Sequence, residues 1–158
     1  MLTKFLFTLG LLLLPLTMPA AEATNRPTLF IVGDSTVKNR TTGQQGWGEL
    51  IGEFLDTNKI ATANHAIGGR SSRTFLTEGR WDKVLEQLKA GDFVLIQFGH
   101  NDSGKADDPQ RPRGTLPGIG EQTLKITNPV NKRLEIVHTY GWYIRKYITD
   151  AKAKDATP

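Results

Sequence analysis

Residues 29–35 have the sequence Leu-Phe-Ile-Val-Gly-Asp-Ser, and residues 93–102 have the sequence Phe-Val-Leu-Ile-Gln-Phe-Gly-His-Asn-Asp. In each stretch an apolar run stops at small and polar residues, a pattern typical of a buried strand in a parallel sheet. Sites in open parallel sheets lie just beyond the carboxyl ends of the strands. The two stretches therefore predict Ser35 and Asn101 at the same edge of one sheet. A serine there is a candidate nucleophile, and an asparagine amide beside it is a candidate oxyanion donor.

The remaining elements alternate between strand and helix patterns. The first helix has an apolar face made of Trp47, Leu50, Ile51, Phe54 and Leu55, and Gly91 fits the C-terminal cap of the second helix. This order predicts parallel strands with crossover helices, an α/β fold. The predicted strands are 28–33, 59–66 and 92–98, and the predicted helices are 46–57, 81–88 and 139–153.

The stretch 103–137 is rich in Gly, Pro, Asp and Arg and shows no sustained period. We predict a long functional loop there. A fourth strand is expected after the helix that ends near Lys154, because three parallel strands alone would leave an edge exposed. We therefore expect a domain that is shortened at its C-terminal side.

The N-terminal residues have the pattern of a secretory signal peptide. Lys4 provides a positive start, residues 5–17 form an apolar core, and Ala21-Glu22-Ala23 fits the cleavage rule, with Pro19-Ala20-Ala21 as the alternative. An uncleaved membrane anchor is disfavoured because the apolar stretch is too short to span a bilayer. We predict a signal peptide at 1–23, one domain at 24–158, and a secreted or periplasmic protein with no stable membrane insertion.

The composition of the chain limits the kinds of binding partner that we expect. The net charge of +4 could attract an acidic polysaccharide, but no run of five or more like charges occurs, which is typical of an ordinary solvated surface. The sequence has no basic stripe with interleaved aromatic residues, so we expect no nucleic-acid partner. The chain has no cysteine, and its three histidines lack ligand-like spacing, so we expect no metal, no cofactor and no disulfide. We expect a monomer.

Four short motifs follow one another along the chain, and two of them end predicted strands. They are Gly33-Asp34-Ser35-Thr36, Gly46-Trp47-Gly48-Glu49, Asn64-His65-Ala66-Ile67-Gly68-Gly69-Arg70-Ser71-Ser72 and Gly99-His100-Asn101-Asp102, with Val137-His138-Thr139-Tyr140-Gly141-Trp142-Tyr143 as a further match. Gly-Asp-Ser alone is a weak signal, but the four motifs in this order are specific. They resemble the SGNH, or GDSL-type, hydrolases and within them the rhamnogalacturonan acetylesterase branch. The resemblance covers nearly all of 24–158 and about the first two-thirds of the family's domain.

The resemblance implies a three-layer, flavodoxin-like α/β/α fold with a parallel sheet and an enzyme that removes O-acetyl groups from plant cell-wall polysaccharide of the rhamnogalacturonan or pectin type. It implies that Ser35 is the nucleophile and that the N–H groups of Ser35 and Gly69 and the side chain of Asn101 donate to the oxyanion. Gly68 is the alternative to Gly69. Donors fixed in advance stabilise the charge that develops on the ester oxygen, and losing one costs ~10²–10³ in rate.

The family's base lies in an Asp-x-x-His motif, which is absent from this sequence. The Glu135–His138 segment has the spacing, but it already matches a different part of the family pattern. His100 adjoins Asn101 and is somewhat better placed, whereas His65 lies in a predicted strand. The acetylesterase hypothesis therefore includes the expectation that this chain by itself is almost inactive.

Each candidate also has a structural interpretation. Ser35 and Asn101 could be turn residues at strand ends, and Gly69 could be an ordinary loop glycine. Asp34 and Asp102 fit turn or network roles. Arg70 could face an acidic sugar or only solvent, and Trp47 fits the core.

Two alternatives to the acetylesterase stay open. The first is a non-catalytic carbohydrate-binding remnant. The second is a lipase or thioesterase of the same superfamily, which the polar and basic stretch 103–137 disfavours because it offers no apolar acyl channel.

Overall fold

A computed structural model describes residues 26–158, so the predicted signal peptide at 1–23 lies outside the described residues. No helix within this range has the length and apolar composition needed to cross a membrane. In chain order the elements are β1 (Thr28–Gly33), two 3₁₀ helices (Trp47–Glu49 and Ile51–Phe54), β2 (Ala61–Asn64), α1 (Ser72–Thr77), α2 (Arg80–Leu85), β3 (Phe93–Gln97), β4 (Thr123–Thr127), β5 (Leu134–His138) and α3 (Tyr140–Lys152).

The central sheet is parallel and has β1 in its middle, in the order β2-β1-β3. Leu29 lies opposite Thr62 of β2 and Phe93 of β3. The chain runs from β1 to one edge and then to the other, so the direction of winding reverses between β1 and β3. Binding sites of open α/β sheets form at such a switch point, beyond the carboxyl ends of the strands. The predicted α/β fold with a parallel sheet is confirmed.

The two faces of β1 pack against different layers because successive side chains of a strand point to opposite sides. Phe30 and Val32 join the larger core with the helices, where the rings of Trp81 and Tyr147 meet edge-to-face at 4.8 Å. Ile31 faces the other side, where Val37 and Ala66 are buried and the first 3₁₀ segment covers them. Helices therefore cover one face of the sheet and 3₁₀ segments the other.

The predicted helix at 46–57 is wrong, since this segment forms two short 3₁₀ helices. The N–H groups of Trp47 and Gly48 donate to the carbonyls of Thr36 and Val37 at 3.1 and 3.0 Å, which ties the segment to the turn after β1. Phe54 is 81% exposed, so the apolar face expected from spacing does not pack as one surface. Trp47 is half-buried against the second core cluster.

The predicted loop at 103–137 is corrected in its second half, where β4 and β5 pair as an antiparallel hairpin. The alternation of polar and apolar residues in Thr123–Thr127 is a strand signal that the sequence offered. The hairpin buries few of its apolar side chains: Ile126 and Val137 are buried, whereas Leu124, Leu134 and Ile136 are exposed. Helix α1 was also missed. Its six residues are too few to show a helical period, although Ser71 caps it by accepting from the N–H of Thr74 at 3.1 Å.

The free edge of β3 is partly occupied beyond α3. Thr157 forms a parallel bridge with Phe93, in which its N–H donates to Asp92 at 2.9 Å and its carbonyl accepts from Val94 at 2.8 Å. The position expected for a fourth strand is thus taken by one bridged residue.

Candidate active site

Ser35 lies in a tight turn directly after β1. The carboxylate of Asp34, itself 1% exposed, accepts from the N–H and the hydroxyl of Thr36 at 2.9 and 2.8 Å. The carbonyl of Asp34 accepts from Val37 and Lys38 at 3.2 and 3.1 Å. Asp34 therefore stabilises the turn through its side chain and its carbonyl, and the half-buried Ser35 lies on the wall of a cleft.

The glycine pair after β2 lies against this turn. A Cβ added at Gly68 would stand 3.4 Å from the Cβ of Ser35, so Gly68 lies close beside the serine. Gly69 has a φ of +79°, a left-handed conformation that favours glycine. Both glycines line the same cleft as Ser35. The structure thus brings Ser35, Gly68 and Gly69 to one site, and both glycines that the sequence left open remain candidates for the second donor.

Asn101 lies under the same loop, at the end of β3. It is 3% exposed, and its side-chain amide donates to the carbonyl of Arg70 at 2.8 Å. An amide NH₂ carries two donors, and this bond uses one of them. Asn101 is therefore held against the loop that carries Gly69, although it does not itself line the cleft.

Asp102 anchors the far end of that loop. Its carboxylate is 5% exposed and accepts from the backbone N–H of Ser72 at 3.1 Å and from the Ser72 hydroxyl. Burial raises the pKa of Asp102, and the hydrogen bonds from Ser72 oppose that rise. The hydroxyl of Tyr147 donates to the carbonyl of Ser72 at 2.7 Å, which ties the loop to α3. Sequence patterns did not reveal the roles of Ser72 and Tyr147, because each acts through a partner at least 30 residues away along the chain.

Arg73 is a further residue that the sequence did not indicate. It is fully buried, its guanidinium donates to the carbonyl of Ala106 at 3.1 Å and to that of Pro112, and its Nε stands 3.5 Å from the carboxylate of Glu135. Arg73 therefore joins α1, the loop before the hairpin and β5. These are three walls of the cleft.

The three histidines are not among the residues that line the cleft containing Ser35. His65 stacks on Phe30 with ring centroids 5.7 Å apart, and burial, with a smaller effect of Lys38, lowers its pKa. His138 stacks on Trp142 at 3.8 Å, and His100 is exposed. Within residues 26–158, no histidine lines the cleft that contains Ser35.

The cleft has a volume of about 950 Å³. Its walls are the loop after β1, the glycine loop with α1, the segment 110–113 and the hairpin turn 128–135. Within the part of the chain that the structure describes, no group of three or more acidic or histidine side chains is arranged to hold a metal ion. A serine, a glycine loop and a buried amide at the switch point of a parallel sheet are an arrangement suited to acyl transfer.

Two curated relatives are similar to this chain over most of its length. A rhamnogalacturonan acetylesterase of Emericella nidulans is 38% identical over 127 residues, which cover 80% of this chain and 47% of the relative. A probable rhamnogalacturonan acetylesterase of Bacillus subtilis, YesY, is 36% identical over 132 residues, which cover 82% of this chain and 50% of the relative. The chain thus spans about half the length of these curated relatives.

A solved structure supports the fold. The crystal structure of the Bacillus subtilis protein YxiM matches with a TM-score of 0.57 and 25% identity, over 84% of this chain and 33% of the other. The family described as GDSL-like Lipase/Acylhydrolase matches residues 31–157. With its motifs, its sheet order and the position of Ser35, the chain belongs to the GDSL-like lipase/acylhydrolase family.

Proposed function

We propose that this chain carries the nucleophile and the oxyanion donors of an esterase that removes O-acetyl groups from pectin-type polysaccharide. The observation that carries the proposal is that Ser35 and the Gly68–Gly69 loop line one cleft at the switch point of the sheet, with Asn101 bonded to the same loop. The names of the relatives support an acetyl ester on rhamnogalacturonan as the substrate. The family description supports ester hydrolysis.

In this proposal the Ser35 hydroxyl attacks the acetyl carbonyl and loses its proton to a base. The N–H groups of Ser35 and Gly69 and the Asn101 amide donate to the oxyanion. The sugar hydroxyl leaves with the proton from the base, and water then cleaves the acetyl-serine to acetate and free enzyme. The glycine matters because the absence of a Cβ allows backbone to approach the substrate closely.

We assign the catalytic base to none of the residues 26–158. Because none of the three histidines lines the cleft, we expect very slow turnover by this chain alone. Losing either the nucleophile or the base of a serine hydrolase leaves only ~10³–10⁴ over the uncatalysed rate. A small diffusible base should partly replace the missing side chain, since the cleft is open enough to admit it.

The test is therefore acetate release from acetylated rhamnogalacturonan, with and without imidazole. We expect a near-background rate without imidazole, a clear increase with it, and no increase for Ser35→Ala beyond the reaction of imidazole with substrate alone. An equal imidazole effect in Ser35→Ala would exclude Ser35 as the nucleophile. Fast turnover without imidazole, lost in Ser35→Ala, would show that a base is already in place, and His100→Ala and His138→Ala would then identify it.

A non-catalytic carbohydrate-binding protein is the second candidate, favoured by the absence of a histidine from the cleft within the described residues. It predicts binding of acetylated polysaccharide with no imidazole-dependent cleavage. A lipase or thioesterase is less well supported, because the cleft is bordered mainly by polar and charged side chains. Comparing acetyl with long-chain esters in the imidazole assay separates these activities.

We also propose that the protein is exported and acts as a monomer. The support for export is the signal-peptide pattern of residues 1–23. N-terminal sequencing of protein recovered outside the cytoplasm should begin at Thr24 or Glu22. Recovery of an intact Met1 in the cytoplasmic fraction would contradict export.

A further inference from the structure

The segment Gly46–Glu49 is a sequence motif to which the proposed mechanism gives no role. It lies beside the serine turn, residues 34–38, which carries Ser35. The N–H groups of Trp47 and Gly48 donate to two carbonyls of this turn at 3.1 and 3.0 Å. None of the four residues 46–49 lines the cleft. Any effect of this segment on the reaction must therefore pass through the serine turn.

Two buried glycines let the segment approach the serine turn closely. A Cβ added at Gly46 would stand 2.3 Å from the carbonyl carbon and oxygen of Val37, and one at Gly48 would stand 2.6 Å from Cγ1 of Val37. Gly46 has an extended backbone with φ −87°, and Gly48 has no positive φ, so both conformations are open to alanine. Space alone therefore requires the glycines. Since ordinary contacts begin at 3.4 Å, a Cβ at Gly46 would displace the turn by about 1 Å.

A chain of side-chain hydrogen bonds joins Trp47 to the same turn. The indole N–H can only donate, and it donates to Oε1 of Gln97. The amide nitrogen of Gln97 then donates to the hydroxyl of Thr36 at 3.0 Å. The single proton of that hydroxyl is left for the carboxylate of Asp34 at 2.8 Å. The direction of the whole chain thus follows from the indole, and the chain ends on the residue before Ser35.

Glu49 fastens the far end of the loop that follows Ser35. One oxygen of its carboxylate accepts from the N–H of Asn39 at 2.9 Å and from the N–H of Gly46 at 2.8 Å. The two ends of the loop 39–46 are therefore joined at one atom. An amide oxygen could accept the same two bonds, so glutamine is a conservative replacement at this position.

We infer that Gly46–Glu49 is a clamp that positions Ser35 by holding the serine turn, with Gly46, Gly48 and Glu49 as positioning residues. The inference rests on the proposed esterase function, since that reaction is the reason for holding Ser35. The turn is short and is closed by the N–H groups of Val37 and Lys38, which donate to Asp34 at 3.2 and 3.1 Å. A displacement of Val37 therefore moves Ser35, and a shift of about 1 Å at a reacting group can cost ~10²-fold in rate.

The first test needs no activity, because it measures hydrogen exchange of single amides in the full chain by NMR. Gly46→Ala should speed exchange of the Val37 and Lys38 amides at least about 10-fold, since their bonds open locally. The matched control is Gly52→Ala, where the new Cβ would have only one neighbour, at 3.6 Å. Exchange in the control should stay within about 2-fold of the wild type. The reference is the amide of Leu88, bonded within the helix layer at 3.0 Å.

The Leu88 reference separates the clamp from a general effect on stability. Equal acceleration at Leu88 and Val37 in Gly46→Ala would contradict the inference, and so would unchanged exchange at Val37. If Gly46→Ala does not fold, Glu49→Ala decides, because its two bonds lie at the surface. It should speed exchange of the Asn39 amide several-fold, and Glu49→Gln should restore it. No change in Glu49→Ala would then rule out the clamp.

The side chain of Val37 gives a test of the contact itself. In a Val37→Ala background Cγ1 is absent, so Gly48→Ala should speed exchange of the Lys38 amide less than it does with Val37 present. Gly46→Ala meets the backbone of Val37 and should keep its full effect in that background. Equal effects of Gly48→Ala in both backgrounds would refute the contact.

The second test measures imidazole-dependent acetate release at varied polysaccharide concentration. Gly46→Ala should lower kcat about 10- to 100-fold and leave KM within about 2-fold, because Gly46 lies outside the cleft and acts only through Ser35. Gly52→Ala should leave both values unchanged. An equal fall of kcat in the control, or a rise of KM alone, would refute a positioning role. Acetate release that does not depend on Ser35 in the wild type would instead remove the proposed esterase function, and the exchange rates would then decide on the clamp alone.

Discussion

Removing the carboxylate of Asp102 should destabilise the fold through Ser72. Asp102→Ala leaves the backbone N–H of Ser72, which is fully buried, without its acceptor, and the Ser72 hydroxyl loses the same partner. An unpaired buried polar group costs about 1–3 kcal/mol. The variant also removes a carboxylate that burial disfavours, as its raised pKa shows, and this offsets part of the loss. We expect a net loss of about 2 kcal/mol in the free energy of unfolding.

Urea unfolding followed by tryptophan fluorescence measures this change. The matched control is Asp108→Ala, whose carboxylate also accepts from two N–H groups, those of Gln110 and Arg111 at 2.9 and 2.7 Å. That site is open to water, which can replace the lost acceptor, so the control should lose clearly less. A loss for Asp102→Ala no larger than that for Asp108→Ala would refute the reasoning.

The pH dependence gives a second test of the same residue. Because the folded pKa of Asp102 is raised, the folded chain holds this proton more tightly than the unfolded chain does. The contribution of Asp102 to stability therefore improves as pH falls from neutral through the raised pKa towards the ordinary value. Asn cannot take up this proton, so the stability of the wild type relative to Asp102→Asn should rise as pH falls. A constant or falling difference would contradict the assignment.

Three further variants test the glycine loop and its support. Gly69→Ala and Gly43→Ala both place a side chain at a φ of +79° with no atom of the chain closer than 3.7 Å to the new Cβ, so each should cost about 1–2 kcal/mol in unfolding free energy. Only Gly69→Ala should also reduce imidazole-dependent acetate release, and a matching reduction in Gly43→Ala would remove the oxyanion assignment. Tyr147→Phe removes the buried bond to the Ser72 carbonyl and should cost about 1 kcal/mol in urea unfolding, with no change expected if that bond is unimportant.

Local signals were sufficient for the parts of the fold that are continuous in sequence. The strands at 28–33 and 92–98 and the helix at 139–153 are confirmed to within about a residue at each end, because a long apolar run or a sustained period is a property of neighbouring residues. The same signal failed at 46–57. There, the N–H groups of Trp47 and Gly48 donate to the carbonyls of Thr36 and Val37 in place of the hydrogen bonds of an α-helix.

The sequence by itself determined the sheet, its direction and the edge at which Ser35 and Asn101 lie, since parallel strands deliver their carboxyl ends to one side. Only the tertiary structure decided what surrounds Ser35. The cations of the cleft come from four separated segments, near 38–40, 70, 111–113 and 133, and no charge run in the sequence announces them. That none of the three histidines lines the cleft is likewise decided by packing, which stacks His65 on Phe30 and His138 on Trp142. The charge and the geometry of the site depend on residues that are far apart in the sequence. The crossover connections bring these residues together, so neither property can be read before the chain is folded.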